Sequence, residues 1–298
     1  MSLIDIPEYP RIRAIEIRDK PLFDKAFKEM QPKISEFTFT NLFVWGKARG
    51  YKVSRSDGHI LVHHVEGGRA VFFSPIGPEP DRVILGLFRE HGDNVSFIRV
   101  PLEVASRLPD KDVLKAEDRD SFDYVYKRND LAELRGAKYY PKRSFAEKAM
   151  KYGPIILDDL CVDSEMHKFI RLEQEWCDLR GCDKDKALGE EERAIYALFG
   201  NKDVLGVTCV AVEIEGRVVA FALTEELNDE TCVVHFEKAD TSLVGMYQLV
   251  NREFARRVSE RHRYINREQD LGIQGLRKAK LSYYPAFLVK KFNVTMKS

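Results

Sequence analysis

The segments YINREQDLG, residues 264–272, and GLRKAKLSYYP, residues 275–285, decide how this chain is interpreted. The first begins as a short strand and places Asn266, Glu268 and Asp270 at alternating positions. Alternate side chains of an extended segment point to one face, and polar groups are costly to bury without partners. We therefore predict that these three side chains line a cleft and bind substrate. The alternative is a strand edge beside a solvated, salt-bridged helix.

A short helix is predicted to follow, and it carries cations and a hydroxyl toward the same end of the strand. We predict that Arg277, Lys280 and Ser282 bind substrate. Arg277 and Lys280 are three positions apart, a spacing that places them on one side of a helix. The structural alternative is that Glu268 and Asp270 only anchor this helix through Arg277 and Lys278.

The run NREQDLGIQGLRKAKLSYYP, residues 266–285, resembles the C-terminal signature of an uncharacterised bacterial family. That family is grouped with the catalytic domain of phosphatidylglycerol lysyltransferase. The resemblance continues in LRGAKYYPKR, residues 134–143, and in SEFTFTNLFVW, residues 35–45. The family motif usually has Asn after Lys-Arg, whereas Ser144 follows Arg143 here. The resemblance spans most of the chain and implies two tandem acyltransferase folds of the GNAT type.

Composition is that of a soluble globular protein, with 44% hydrophobic and 32% charged residues among 298. No apolar run approaches the ~18 residues of a membrane helix, so we expect no integral membrane segment. Residues 1–10 show no signal-peptide pattern. The five cysteines have no zinc-binding spacing, so we expect no metal site and predict reduced thiols in a cytoplasmic protein.

Charge is distributed unevenly along the chain. Residues 251–298 carry twelve Lys and Arg against four Asp and Glu, although the whole chain has a net charge of zero. A basic segment suggests an anionic partner, which could be a nucleic acid, a phosphate-bearing donor or a lipid surface. We predict tRNA, and the alternative is that the segment pairs with the acidic remainder of the chain. Upstream, KYYPKR at 138–143 combines cations with phenols, which suits a phosphate or a nucleotide. We predict that Lys142 and Arg143 bind substrate there, unless the stretch is a solvated linker.

The order of helices and strands predicts an α+β fold with a mostly antiparallel sheet. With the resemblance, it predicts a GNAT-like domain in residues 1–130 and a second one in residues 131–298 that holds the active cleft. The segment 37–45 is rich in aromatic residues and could be a helix or a strand. We favour a core segment there over an aromatic wall of a pocket.

Two side chains of one predicted strand, His235 and Glu237, share a face and are candidate catalytic bases. The alternatives are a core histidine whose hydrogen bonds are satisfied and a glutamate that pairs with a nearby cation. In enzymes of the GNAT type a tyrosine on the last helix often protonates the leaving group. The resemblance therefore implies Tyr283, or its neighbour Tyr284, as the catalytic acid.

The donor is predicted from the start of a helix expected at residues 242–260. GNAT enzymes cradle the pyrophosphate of coenzyme A at this helix with a glycine-rich loop. This chain has one glycine there, Gly245, and a carboxylate, Asp240, that opposes a pyrophosphate. We therefore expect weak or absent binding of coenzyme A.

Three functions remain open. The first is transfer of an aminoacyl group from aminoacyl-tRNA to an amine or hydroxyl acceptor that the sequence does not identify. The second is an N-acyltransferase that uses a coenzyme A thioester. The third is a non-catalytic member of the fold that binds a ligand or a nucleic acid.

Overall fold

The computed structural model describes residues 6–158 and 163–297. The chain forms two compact units. The first unit draws on residues 1–124, 269–278 and 288–298, and the second on residues 125–268 and 279–287. The chain therefore enters the second unit twice. The division into domains at 130/131 stays a prediction, because a compact unit need not be a segment that folds by itself.

Seven strands form the sheet of the first unit. They are β1 (Arg13–Ala14), β2 (Lys52–Ser56), β3 (His59–Glu66), β4 (Arg69–Phe73), β5 (Val95–Pro101), β6 (Val113–Glu117) and β14 (Lys291–Met296). Their order is β1-β2-β3-β4-β5-β14-β6. All pairs are antiparallel except β4 with β5, and a parallel pair needs a crossover connection.

The α-helices between residues 20 and 105 belong to the first unit. They are α1 (Lys20–Met30), α2 (Phe39–Arg49), α3 (Pro80–His91) and α4 (Leu102–Ala105). Helix α3 is the crossover between β4 and β5. At the start of α2 the Thr38 hydroxyl accepts the Asn41 N–H at 3.0 Å, as an N-cap does. Residues 39–44 of α2 are buried, so the aromatic motif is a helix in the core.

The second sheet also has seven strands. They are β7 (Asp123–Lys127), β8 (Ile155–Asp158), β9 (Thr208–Ile214), β10 (Arg217–Asn228), β11 (Thr231–Ala239), β12 (Tyr264–Asn266) and β13 (Phe287–Val289). Their order is β13-β7-β12-β11-β10-β9-β8. Strands β11 and β12 are parallel, whereas β8 to β11 are antiparallel and β12 is antiparallel to β7. The predicted α+β class with mostly antiparallel sheets is confirmed.

Seven further helices complete the described structure. They are α5 (Arg128–Glu133), α6 (Tyr140–Met150), α7 (Met166–Arg180), α8 (Lys186–Phe199), α9 (Lys202–Leu205), α10 (Met246–Arg257) and α11 (Gln274–Leu281). Helix α10 connects β11 to β12. Within residues 6–158 and 163–297, no helix has both the length and the apolar character needed to cross a membrane.

Helix α10 begins later than the sequence pattern predicts. It starts at Met246 rather than at Ser242, with Gly245 as its N-cap residue at φ +91°. The carboxylate of Asp240 accepts the N–H and the hydroxyl of Ser242, at 2.9 and 2.6 Å, and this turn delays the helix. Asp240 therefore does not lie at the helix start, and it pairs with Arg217 at 3.0 Å instead.

The prediction of reduced thiols is wrong for Cys177, Cys182 and Cys209, which are disulfide-bonded. Cys177 and Cys182 form a disulfide, with Cα atoms 5.1 Å apart. Gly181 ends α7 in the left-handed conformation, at φ +73°, and turns the chain back so that the two sulfurs meet. Cys232 is a buried free thiol, and Cys161 lies outside the described residues.

Candidate active site

A buried ion pair lies in the second unit at the end of β12. The guanidinium of Arg267, the residue after β12, donates to both carboxylate oxygens of Glu237 on β11, at 3.1 and 2.9 Å. The two side chains are 14% and 11% exposed. When the side-chain amide of Asn251, on α10, is assigned with its oxygen toward the cation, that oxygen accepts from the same guanidinium at 3.0–3.2 Å. These contacts satisfy charges that burial alone would penalise.

Two phenol rings and a lysine surround this ion pair. The guanidinium carbon of Arg267 lies 5.7 Å from the ring centre of Tyr126 and 5.0 Å from that of Tyr283. The ammonium of Lys142, on α6, lies 4.4 Å from the ring centre of Tyr283. We call this group the Arg267 cluster, and its members are Tyr126, Lys142, Glu237, Asn251, Arg267 and Tyr283. The cluster brings together three predicted site residues: Glu237, Tyr283 and Lys142.

Burial changes the proton affinity of two members of the Arg267 cluster. It raises the pKa of Tyr283 above its ordinary value, so the phenol keeps its proton at neutral pH and can donate it. Burial and the charge of Arg267 lower the pKa of Lys142, so its ammonium releases a proton more readily than an exposed lysine does. The cluster thus holds a carboxylate, a protonated phenol and two cationic side chains.

His235 occupies a bulge in β11 and lies between two carboxylates. Its Nδ1 is 2.9 Å from Glu268 and its Nε2 is 2.6 Å from Glu225, and its side chain is 2% exposed. Burial alone would lower the pKa of His235, but the hydrogen bonds and charges of both carboxylates raise it to about 9. The ring is therefore an imidazolium at neutral pH, with both nitrogens donating.

This imidazolium predicts a stability that depends on pH. The folded-state pKa lies above the ordinary value of 6.5, so the stabilisation is complete below pH 6.5 and is lost as pH rises through about 9. We expect the wild-type free energy of unfolding to fall over this window by on the order of 3 kcal/mol more than that of His235→Gln. Urea unfolding at several pH values measures this. His167→Gln, at an exposed histidine, should keep the wild-type slope; an equal slope in His235→Gln would contradict the assignment.

Asp270 belongs to the first unit, and its carboxylate is saturated with donors. Arg277 donates to both oxygens at 2.8 Å, Tyr124 donates at 2.5 Å and the Gly272 N–H donates at 2.9 Å. Although burial raises the pKa of Asp270, these hydrogen bonds hold it well below its ordinary value. Arg277 also pairs with Asp120 at 2.6 Å. Asp270 and Arg277 therefore make the contacts expected if Asp270 anchors the helix through Arg277, which is the structural alternative to a role in binding substrate.

The expected alternation of Asn266, Glu268 and Asp270 on one face is wrong. Strand β12 ends at Asn266, whose side-chain oxygen accepts the Glu268 N–H at 2.8 Å. This turn places Glu268 in the left-handed region, at φ +55°. Asn266 and Glu268 belong to the second unit, whereas Asp270 belongs to the first. The three side chains therefore do not form the row that a regular strand would give.

The remaining predicted site residues contact backbone carbonyls. The Ser282 hydroxyl donates to Ala279 at 2.6 Å and Arg143 donates to Leu134 at 2.6 Å. The ammonium of Lys280 donates to the carbonyl of Arg267. These three contacts hold turns and helix ends in place. A separate surface depression of about 240 Å³ in the second unit is lined by Lys127, Asn129, Glu260, His262, Arg263 and Tyr264, none of which belongs to the Arg267 cluster.

The sequence patterns missed three members of the cluster: Arg267, Asn251 and Tyr126. Arg267 stands inside the motif at 266–285, but strand alternation assigned it to the face opposite Asn266. Asn251 lies within a run of buried residues on α10, and a polar residue at such a position is a signal that a buried partner is present. Tyr126 gave no signal beyond the aromatic character of its strand.

Comparison with known proteins identifies the family. Residues 27–295 match the family described as "Phosphatidylglycerol lysyltransferase, C-terminal". The chain belongs to this family, as the motifs at 35–45, 134–143 and 266–285 predict. No curated protein matches the sequence. The predicted family, grouped with the catalytic domain of phosphatidylglycerol lysyltransferase, is confirmed, and an acyltransferase is the class of enzyme that this family supports.

Three solved structures share the fold of this chain. A conserved protein of unknown function from Bacteroides thetaiotaomicron VPI-5482 has a TM-score of 0.87 at 29% identity, and the match covers 96% of this chain and 99% of that one. The protein named L-PGS from Bacillus licheniformis has a TM-score of 0.67 at 13% identity, with 97% and 93% covered. The C-terminal domain of a proposed lysylphosphatidylglycerol synthetase from Agrobacterium fabrum has a TM-score of 0.69 at 12% identity, with 95% and 92% covered. The last two likenesses concern the fold.

Proposed function

We propose that this protein transfers an aminoacyl group from aminoacyl-tRNA to an amine or hydroxyl acceptor, at the Arg267 cluster. The observation that carries the proposal is the meeting of Glu237, Tyr283 and Lys142 around one buried guanidinium. The family name supports an aminoacyl group, because its description refers to lysyl transfer. The acceptor's class follows from the reaction, which needs a nucleophile that carries a removable proton.

Each member of the cluster has a role in this reaction. The acceptor nitrogen or oxygen attacks the ester carbonyl carbon of the donor, and Glu237 takes the proton that the acceptor loses. The carbonyl oxygen becomes negative, and the cationic side chains of Lys142 and Arg267 stabilise it. The ester C–O bond then breaks, and Tyr283 gives its phenol proton to the departing ribose oxygen. A proton returned from Glu237 to Tyr283 restores the site.

Glu237 suits the role of base better than His235. Both nitrogens of His235 are engaged with carboxylates, so the ring offers no lone pair to an incoming acceptor. Glu237 bonds to Arg267 through its two oxygens, and each carboxylate oxygen has a further lone pair that can accept a proton. His235 instead positions β11, which carries Glu237 two residues further on.

The start of α10 supports tRNA rather than coenzyme A as the donor. A phosphate cradle needs free space and backbone N–H groups at a helix N-terminus. A Cβ built on Gly245 would lie 2.0 Å from the carbonyl oxygen of Phe145. That oxygen, with its partial negative charge, thus lies against the position where a pyrophosphate would approach α10. An acyl donor that does not depend on this cradle fits the site better.

Transfer of a labelled amino acid from charged tRNA to a panel of amines and hydroxyl compounds tests this function. We expect wild-type transfer, and we expect Glu237→Gln to lower kcat/KM by about 10²–10⁴-fold, the usual contribution of a general base. Tyr283→Phe keeps the Glu237–Arg267 ion pair and should also lower kcat. Coenzyme A thioesters serve as the competing donors in the same assay.

The matched control is Glu147→Gln, at an exposed glutamate on α6 of the same unit, which should keep wild-type kinetics. Melting temperatures of all variants separate lost chemistry from lost folding. Transfer from coenzyme A thioesters with none from charged tRNA would overturn the proposed donor. Wild-type rates in folded Glu237→Gln and Tyr283→Phe would overturn the proposed site.

A further inference from the structure

An exposed group of cations and phenol rings lies on the second unit where α6 begins. Lys138 and Tyr140 lie at the entry to α6, and Tyr284 lies in the turn after α11. The ammonium of Lys138 is 5.0 Å from the ring centre of Tyr284, and the guanidinium of Arg143 is 5.8 Å from that of Tyr140. Tyr140 is 63% exposed and Tyr284 is 47% exposed. We call Lys138, Tyr140 and Tyr284 the Tyr284 patch.

Tyr284 has a backbone conformation that a tyrosine rarely adopts. Its φ is +55°, in the left-handed region that is an outlier for a bulky residue. Its N–H donates to the Leu281 carbonyl at 2.9 Å, and Pro285 follows it. Residues held in such conformations cluster at sites that bind or react. The ring of Tyr284 packs edge-on against that of Tyr139, with ring centres 5.6 Å apart, and this contact gives the exposed ring a defined direction.

The Tyr284 patch adjoins the Arg267 cluster through two consecutive tyrosines. Tyr283 is 5% exposed and faces the cluster, whereas Tyr284 faces solvent. Lys142 lies over the ring of Tyr283 at 4.4 Å, and Lys138 lies over that of Tyr284 at 5.0 Å. The two lysines are four residues apart. Lys138 also lies 4.8 Å from the ring centre of the buried Tyr139, so lysines contact tyrosine rings both in the cluster and at the surface beside it.

We propose that the Tyr284 patch binds the single-stranded 3′ end of the tRNA donor. The ring of Tyr284 stacks on a base and Lys138 contacts a phosphate, so that the terminal ribose ester reaches the neighbouring Arg267 cluster. This inference rests on the proposed function in taking RNA as the donor. Stacking on an aromatic ring beside cations is how proteins hold single strands without reading their sequence.

A nucleotide fits the patch better than a membrane surface does. Membrane binding uses apolar side chains that enter the lipid and does not need a fixed ring direction. The patch consists of a cation and two phenols, and the ring of Tyr284 is held edge-on against Tyr139. A nucleotide supplies a base that can stack on the ring of Tyr284 and a phosphate that can pair with Lys138.

Fluorescence anisotropy with an uncharged RNA hairpin that ends in a single-stranded ACCA tests the proposal. We expect the hairpin to bind wild-type protein more tightly than the same hairpin with a blunt end. Tyr284→Gly should weaken binding of the ACCA hairpin by about tenfold or more. It should keep the fold, because glycine adopts φ +55° without strain and this gain offsets the loss of the ring contact with Tyr139; the melting temperature checks that the variant is folded. Lys138→Ala should lower the slope of log affinity against log salt by roughly 0.7.

The control variant is Tyr152→Ala, at another exposed tyrosine of the second unit, which should bind as wild type does. Equal affinity of wild type and Tyr284→Gly would overturn the inference and leave the proposed function standing. Absence of RNA binding by wild type would overturn the donor and the inference together. Tyr284-dependent binding to phosphatidylglycerol vesicles, without any dependence of RNA binding on Tyr284, would assign the patch to a membrane instead.

Discussion

Replacing Lys291 by methionine is expected to lower the free energy of unfolding by about 3–5 kcal/mol. Lys291 begins β14 in the first unit, and its side chain is fully buried. Its ammonium lies 2.6 Å from Glu36 and 2.7 Å from Asp123, both of which are buried as well. Methionine fills a similar volume but leaves two buried carboxylates with less compensating charge. Denaturant unfolding of the two proteins measures the difference.

The neighbouring lysine provides the control. Lys290 pairs with Glu117 on the surface, with both side chains about half exposed, so Lys290→Met should change stability by less than about 1 kcal/mol. Burial already raises the pKa of Glu36, and loss of the ammonium should raise it further. The loss of stability in Lys291→Met should therefore be smaller at pH 5 than at pH 8, because Glu36 then binds a proton. Equal effects at positions 290 and 291 would show that the buried network contributes little.

Replacing Gly245 by alanine is expected to destabilise the second unit by about 2–5 kcal/mol, the sum of a left-handed backbone and an overpacked contact. The residue has φ +91°. The new Cβ would lie 2.0 Å from the oxygen and 2.8 Å from the carbonyl carbon of Phe145. Because those atoms are backbone, helix α6 or helix α10 has to shift. Asn251 on α10 would then move relative to Arg267, so we also expect weaker transfer activity.

Gly206→Ala separates the two contributions. Gly206 ends α9 at φ +74°, and a Cβ there would meet no atom within 4 Å. Its replacement should therefore have only the backbone effect, about 1–2 kcal/mol. Thermal or denaturant unfolding of both variants gives the comparison. A loss of stability in Gly245→Ala no larger than that in Gly206→Ala would mean that α6 and α10 are not held as closely as the structure has them.

The fold class was predictable because it depends on the order of helices and strands and on motifs that are local in sequence. The meander of β9, β10 and β11 shows this, since its strands are β-type runs separated by the short turns at 215–216 and 229–230. The site was less predictable because it depends on single backbone turns. The sequence pattern is the same whether the strand continues through Asn266 or ends there because its side chain accepts the Glu268 N–H. That one hydrogen bond decides which way Arg267 points.

Other misses have the same physical origin. The start of α10 depends on Asp240, whose carboxylate closes a turn with Ser242 instead of capping the helix. It also depends on the carbonyl of Phe145, which is about a hundred residues away in sequence. The Cys177–Cys182 disulfide depends on the left-handed turn at Gly181. Contacts between distant segments and single left-handed residues leave little trace in hydrophobic periodicity.

The position of β14 in the first sheet has a consequence for synthesis of the chain. β14 pairs with β5 on one side and with β6 on the other. About 170 residues separate β6 from β14, so a ribosome that adds ~5–20 residues per second needs roughly 10–30 s to supply the missing strand. During that interval β5 and β6 each have an unpaired edge that can join another chain. A nascent chain that stalls before Lys291 is therefore a target for chaperones and a source of aggregates, even when its second unit has most of its strands.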